Sequence, residues 1–218
     1  MIIDNNFFID LKVFLNDISK NHILPNLGKV SSSDIKIKVD SSKATIHDEN
    51  IESLLISYFT SKGFTSFIAE ETYPSNFNNK NKYLTLDPID GTRNFINGVN
   101  KIAIMSSYIE NKIFKNFQPH NIKDLNQHIG YLSDIGINKF SSIIGDYKIQ
   151  DRSSSIGYDM IQILEGDRSF LPLYKGKIWD IFPVLGFLEN INFNSLNKNK
   201  IKFDLDLAND SFFYYAKI

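Results

Sequence analysis

The sequence predicts a layered α/β (α+β) fold. Three observations carry this. The 218 residues, 42% of them hydrophobic and 13% aromatic, are enough to bury a sizeable core. Helical and strand patterns alternate irregularly and without an internal repeat, which points away from a doubly wound nucleotide fold. Two strand-like runs end directly on acidic residues, Glu70-Glu71 and Asp87.

The elements follow in order. Ile3, Phe7, Leu11, Phe14, Leu15 and Ile18 recur at helical spacing, and Pro25 to Gly28 should end that opening helix. "DIKIKVD" alternates as a strand. "TIHDENIESLLISYFTSKG" reads as a helix: Thr45 and Asp48 resemble a capping box, Asp48 and Glu49 suit the positive first turn, and Gly63 closes it. Ile51, Leu54, Leu55, Tyr58 and Phe59 form its apolar stripe. "FTSFIAEE" and "YLTLD" are strands, "IAIMSSYI" is a buried strand, and "KIFKNF" is its hairpin partner.

Residues 117–150 show no clear periodicity. A further helix starts at Ser153 to Ser155 as candidate N-caps and stops at Gly166. "FLPLY" reads as a strand and "KGK" as a turn. "WDIFPVLGFLEN" reads as a third helix, with Asp180 at its N-cap and Pro183 in its first turn. Residues 1–115 are expected to form an N-terminal α+β part with most of the acidic residues, and 116–218 a smaller C-terminal α/β part contributing Asp180.

Charge and composition exclude several function classes. The 24 Lys and Arg nearly balance 25 Asp and Glu, so nothing suggests a nucleic-acid polymer as partner. Without cysteine there can be no disulfide, thiolate metal site or Cys nucleophile. The N-terminus carries Asp4 and Asp10 where an export signal would carry positive charge, and no apolar run approaches a membrane span. A soluble, cytoplasmic protein is expected. The four histidines show no paired zinc spacing, His47 is expected to be exposed, and serine-hydrolase and P-loop motifs are absent. Asn-rich patches such as "NFNNKNK" are read as loops.

The chemistry concentrates in "YLTLDPIDGTRNF", where Asp87 and Asp90 flank a proline. Pro88 prevents the strand from continuing as an interior one, so the chain should turn there. A turn can gather Asp87, the Ile89 carbonyl and Asp90 as hard oxygen ligands of the kind Mg²⁺ prefers. The N–H groups of Gly91 and Thr92 could hold an anion beside them. Adjacent cation and phosphate sites suit metal-assisted phosphate-ester hydrolysis. The same composition also makes an ordinary turn.

"DPIDGTRNF" resembles the signature of the inositol monophosphatase family of Mg²⁺-dependent, lithium-sensitive phosphatases. "ATIHDENIESLL", "FIAEET" and "KIWDIFP" resemble three further family segments in the family's order. The resemblance covers about residues 34–188 and implies a shortened, divergent member with the family's sandwich of alternating helix and sheet layers and a possible homodimer. It also implies specific roles. Glu70, Asp87 and the Ile89 carbonyl would hold one metal, and Asp87, Asp90 and Asp180 a second, with two or three Mg²⁺ per site. Glu70 and Thr92 would position the attacking water, Gly91 and Thr92 would bind phosphate, and Ser154 and Ser155 would line the substrate pocket. The residues themselves read Asp48 as a helix cap and Glu71 as a solvated strand end, and the resemblance adds for Asp48 a place behind the metals.

The chain departs from the family in the shortened stretch between Phe95 and Arg152, in the bulkier "IFPVLGFLENINF", and at Leu173, where inositol phosphatases carry a carboxylate. The expected function is hydrolysis of a small phosphorylated polyol, sugar or nucleotide by metal-activated water. The alternatives are a 3'(2'),5'-bisphosphate nucleotidase of the same family, or a non-catalytic relative that binds ligands or serves in assembly.

Overall fold

The structure is a computed structural model, and it describes residues 5–72, 82–110, 113–115, 129–131, 148–150, 153–164, 177–180, 182–183, 193–195 and 214–216. The expected strand at "FLPLY", the stop at Gly166 and Leu173 lie outside the described residues. The expected division near residue 115 falls where few residues are described.

A four-stranded sheet in the order β3-β4-β5-β6 carries the site: β3 is Phe67–Ala69, β4 Lys82–Asp90, β5 Ala103–Glu110 and β6 Ile113–Lys115. β3 pairs parallel with β4, and β4 and β5 pair antiparallel, as do β5 and β6. Helix α1, Asn5–Ile18, continues through a π-helical turn, Ser19–Ile23, before the chain turns at 24–28. Helix α2 is Ile46–Ser61. Phe7, Leu11 and Ile18 of α1, Ile51, Leu55 and Phe59 of α2, and Leu84, Leu86, Ile89 and Tyr108 of the sheet are all buried in one core. Phe64 seals its end, edge-on to both Phe59 and Tyr108 with centroids 5.4 and 5.3 Å away.

Helix α4, Ile156–Leu164, is placed by the other parity of β5. Ile104 and Tyr108 join the α1/α2 core, whereas Ala103 and Met105 meet Gly157 of α4. This gives the helix, sheet and helix layering expected from the sequence. A Cβ on Gly157 would lie 2.7 Å from Ala103 Cβ, so only glycine admits this approach.

"DIKIKVD" yields only a short strand, β1, Ile35–Ile37. It pairs antiparallel with β2, Lys43–Thr45, around a turn in which Lys38 N–H donates to Ser42 O at 2.8 Å. Short pairs are also present at β7 (Ile129–Tyr131) with β8 (Lys148–Gln150), and at β9 (Phe193–Ser195) with β10 (Tyr214–Ala216).

Two expectations are corrected. Pro88 does not take the chain out of the sheet, because β4 runs on to Asp90. Asp87 pairs with Met105 but Asp90 pairs with Ala103, so two residues of β4 oppose one of β5 in a bulge. Pairing to β3 has already ended at Leu86, and the bulge spares proline the hydrogen bond it cannot make. Asp180 is not an N-cap: residues 178–180 and 182–183 are helical, and the Asp180 carboxylate reaches back to accept the Lys177 N–H at 2.7 Å. The helix thus starts before Asp180, and Pro183 falls beyond its first turn. No described helix is long and apolar enough to cross a membrane.

Candidate active site

The bulge in β4 turns Asp87 and Asp90 towards a common point, and Gly91 then passes the chain into a short helix, α3, Thr92–Ile96. Gly91 adopts φ 93°, in the left-handed region, and a Cβ there would lie 3.0 Å from Ser155 Cβ and 3.1 Å from Lys101 O. Glycine is required on both counts.

Asp180 arrives from far along the chain. One carboxylate oxygen from each of Asp87, Asp90 and Asp180 lies within 4.8 Å of the others. They line a cavity of about 250 Å³ together with Glu70, Ile89, Gly91, Thr92 and Ser154. Ser155 stands behind it, its hydroxyl donating to Asp90 Oδ2 at 2.7 Å, and the Gly157 N–H donates to the same oxygen. Ser155 Oγ also accepts the Tyr158 N–H at 3.1 Å, which makes it the cap of α4. Ser154 is exposed, at φ 67°. Asn94 ties this loop down, donating to Lys101 O at 2.7 Å and Ser153 O at 2.6 Å.

Crowding this many carboxylates has an electrostatic cost. Asp87 is buried with Oδ1 lacking a hydrogen-bond partner, and burial followed by the charges of Glu70, Asp90 and Asp180 pushes its pKa well above the ordinary carboxylate range. Burial raises Asp90 to about 6 even though Ser155 and Gly157 stabilise its anion. Burial, then the Asp90 charge, raises Asp180 to about 8. An unpartnered buried oxygen amid three carboxylates fits a bound divalent cation, which would supply the missing charge.

The capping box is present, with Thr45 Oγ1 and N–H donating to Asp48 Oδ2 at 2.6 and 2.7 Å. Its second oxygen extends it into the site: Thr92 Oγ1 is 3.0 Å from Asp48 Oδ1 and 3.1 Å from the Ile89 carbonyl. Burial raises the Asp48 pKa.

Two further residues were not legible from motifs. Glu52 is buried and accepts the Glu71 N–H at 2.8 Å and the Thr72 hydroxyl at 2.6 Å, holding the segment that follows Glu70. A signal existed, since Glu52 falls between Ile51 and Leu55 on the apolar stripe of α2. Lys38, from the β1–β2 turn, bridges Glu70 and Glu71 at 2.8 Å each. Burial opposes the Lys38 charge, but Glu70 and then Glu71 carry its pKa upward. Glu71 is therefore not solvated: its side chain is 4% exposed, and burial lifts it to about 7. His47 is half-buried, its ring edge-on to Phe95 at 5.6 Å.

The profile of the inositol monophosphatase family matches residues 18–115, the span that carries Glu70, Asp87, Asp90 and Thr92. Over that span, a little under half of the chain, the sequence is similar to this family. Solved structures extend the likeness over the rest. The Thermotoga maritima IMPase superposes with a TM-score of 0.74 at 16% identity, over 95% of this chain and 91% of that one. A Ca-bound IMPase family protein from Staphylococcus aureus gives 0.70 at 16% identity, over 97% and 89%. An IMPase/NADP phosphatase complexed with Mg²⁺ and phosphate gives 0.68 at 16% identity, over 97% and 90%. At such identities the likeness establishes the fold. A search of curated proteins finds no match.

Proposed function

We propose that this chain is a member of the inositol monophosphatase family and a Mg²⁺-dependent phosphomonoesterase acting on a small phosphorylated polyol, sugar or nucleotide. The observation that carries the reading is the convergence of Asp87, Asp90 and Asp180 within 4.8 Å, with one buried Asp87 oxygen unpartnered. Glu70, Asp87, Asp90, Asp180 and the Ile89 carbonyl would hold two or three ions; the structural neighbour that binds Mg²⁺ and phosphate supports this choice. When bound, Mg²⁺ supplies charge for the phosphoryl oxygens and acidifies a water.

The chain's own residues do the rest. The Thr92 hydroxyl proton is directed to Asp48 or the Ile89 carbonyl, so its remaining lone pair is available to accept a proton from water and orient it. Glu70 lines the same cavity and is the second residue able to hold that water. The N–H groups of Gly91 and Thr92, at the start of α3, offer donors for the phosphate oxygens. Ser154 faces the cavity and offers a hydroxyl to the substrate. Ser155 acts on Asp90, holding the carboxylate in place for the ion.

The test is release of inorganic phosphate from inositol, sugar and 3'-phosphoadenosine phosphates with Mg²⁺, with chelator and with lithium. Chelator-sensitive release that Asp87→Asn abolishes is expected. No release by folded, Mg²⁺-bound protein would overturn the reading.

A further inference from the structure

The cavity is acidic at its floor, where Glu70, Asp87, Asp90 and Asp180 meet, but Lys43 and Arg93 also line it. Both are exposed, which places them at its mouth. The described ion pairs use Lys36, Lys38, Lys62 and Lys177 as cations. Lys38 is neutralised by Glu70 with Glu71, and Lys177 by Asp40. Neither Lys43 nor Arg93 pairs with a described carboxylate.

Their backbones are nevertheless held together. Lys43 lies two residues before Thr45 and Arg93 directly after Thr92, and both threonines are bound by the single carboxylate of Asp48. Two unspent cations are thus presented from two elements that one buried side chain joins. A neutral polyol would leave both without a counter-charge. A guanidinium fork and an ammonium together suit a carboxylate or phosphate oxygen set.

We propose that Lys43 and Arg93 recognise a second anionic group of the substrate, phosphate or carboxylate, away from the ester being cleaved. This rests on the phosphomonoesterase reading for its biological meaning, and it makes esters with two anionic groups the preferred class. Both side chains are solvated, so the contribution is moderate and weakens with salt.

Calorimetry on the Mg²⁺-loaded protein tests it with propylphosphonate, 3-phosphonopropionate and 1,3-propanediphosphonate, which share a three-carbon span and carry one or two anionic ends. The bis-anions should bind about tenfold tighter than propylphosphonate. Arg93→Gln and Lys43→Gln should each reduce that preference, and the double variant should erase it at an unchanged Tm. A larger gain with the diphosphonate assigns the second group as phosphate; equal gains assign any small anion. No preference in the unmodified protein, or one that survives the double variant, would overturn the proposal. Ester turnover plays no part in this readout, so it stands or fails apart from the phosphatase reading.

Discussion

Thr92 Oγ1 lies 3.0 Å from Asp48 Oδ1, so the first turn of α2 and the first turn of α3 are joined by one hydrogen bond at the edge of the carboxylate cluster. The Asp48 carboxylate caps its own helix with one oxygen and orients Thr92 with the other. If Thr92 positions water, Thr92→Val should lower kcat by about 10²-fold with a much smaller change in KM. Thr92→Ser should retain most of the activity. Equal loss in both variants would show that the methyl packing matters and the hydroxyl does not.

Asp48→Ala should act on two levels. Loss of the capping-box acceptor should cost about 1 kcal/mol of stability, read from urea unfolding. Turnover should fall further than that cost explains, because Thr92 loses its partner. An activity loss that tracks stability alone would separate Asp48 from the chemistry.

Asp87→Asn addresses the metal. In chelator, above the ordinary carboxylate range, the variant should be more stable than the unmodified protein, which must either protonate Asp87 or hold its buried charge against Glu70, Asp90 and Asp180. With Mg²⁺ the order should reverse, because the unmodified protein gains binding free energy that the variant lacks. A Tm rise with Mg²⁺ that is the same in both proteins would remove Asp87 from the ligand set.

The pH dependence follows from the raised pKa values. Asp90 at about 6, Glu71 at about 7 and Asp180 at about 8 all stand above the ordinary carboxylate range. Between that range and these values the folded, metal-free protein binds more protons than the unfolded chain. Its stability is therefore greatest at the acidic side of the window and is lost as pH rises through these values. In chelator the Tm should fall between about pH 5 and about pH 8. Saturating Mg²⁺ should abolish that fall. A rising Tm in chelator over the same window would contradict the cluster's electrostatics.

Gly157→Ala tests the packing behind Asp90. The added methyl would meet Ala103 Cβ at 2.7 Å and Met105 Sδ at 2.9 Å, and should cost about 1–3 kcal/mol. Because the Gly157 N–H also holds Asp90, Mg²⁺ affinity should drop along with stability. A variant of unchanged Tm would mean that α4 can back away from β5.

The boundary between what could be read in advance and what could not follows the range of the forces involved. Residue order alone carried the fold class, the capped helix α2 with its apolar stripe, the strands on either side of "YLTLD" but not their directions, and the acidic Asp-Pro-Ile-Asp-Gly segment. Those are set by contacts over a few residues, such as the Thr45–Asp48 capping box or the φ 93° that Gly91 alone tolerates. The bulge that keeps Pro88 inside β4 was not legible, because it depends on which residue of β5 each carboxylate faces. Nor was the pairing of Lys38 with Glu70 and Glu71, since it joins segments that only packing brings together; the meeting of Asp180 with Asp87 and Asp90 was expected from the family resemblance and not from any local pattern. Local sterics and hydrogen bonding determined the pieces; burial of α1, α2 and α4 against the two faces of one sheet decided where their charges meet.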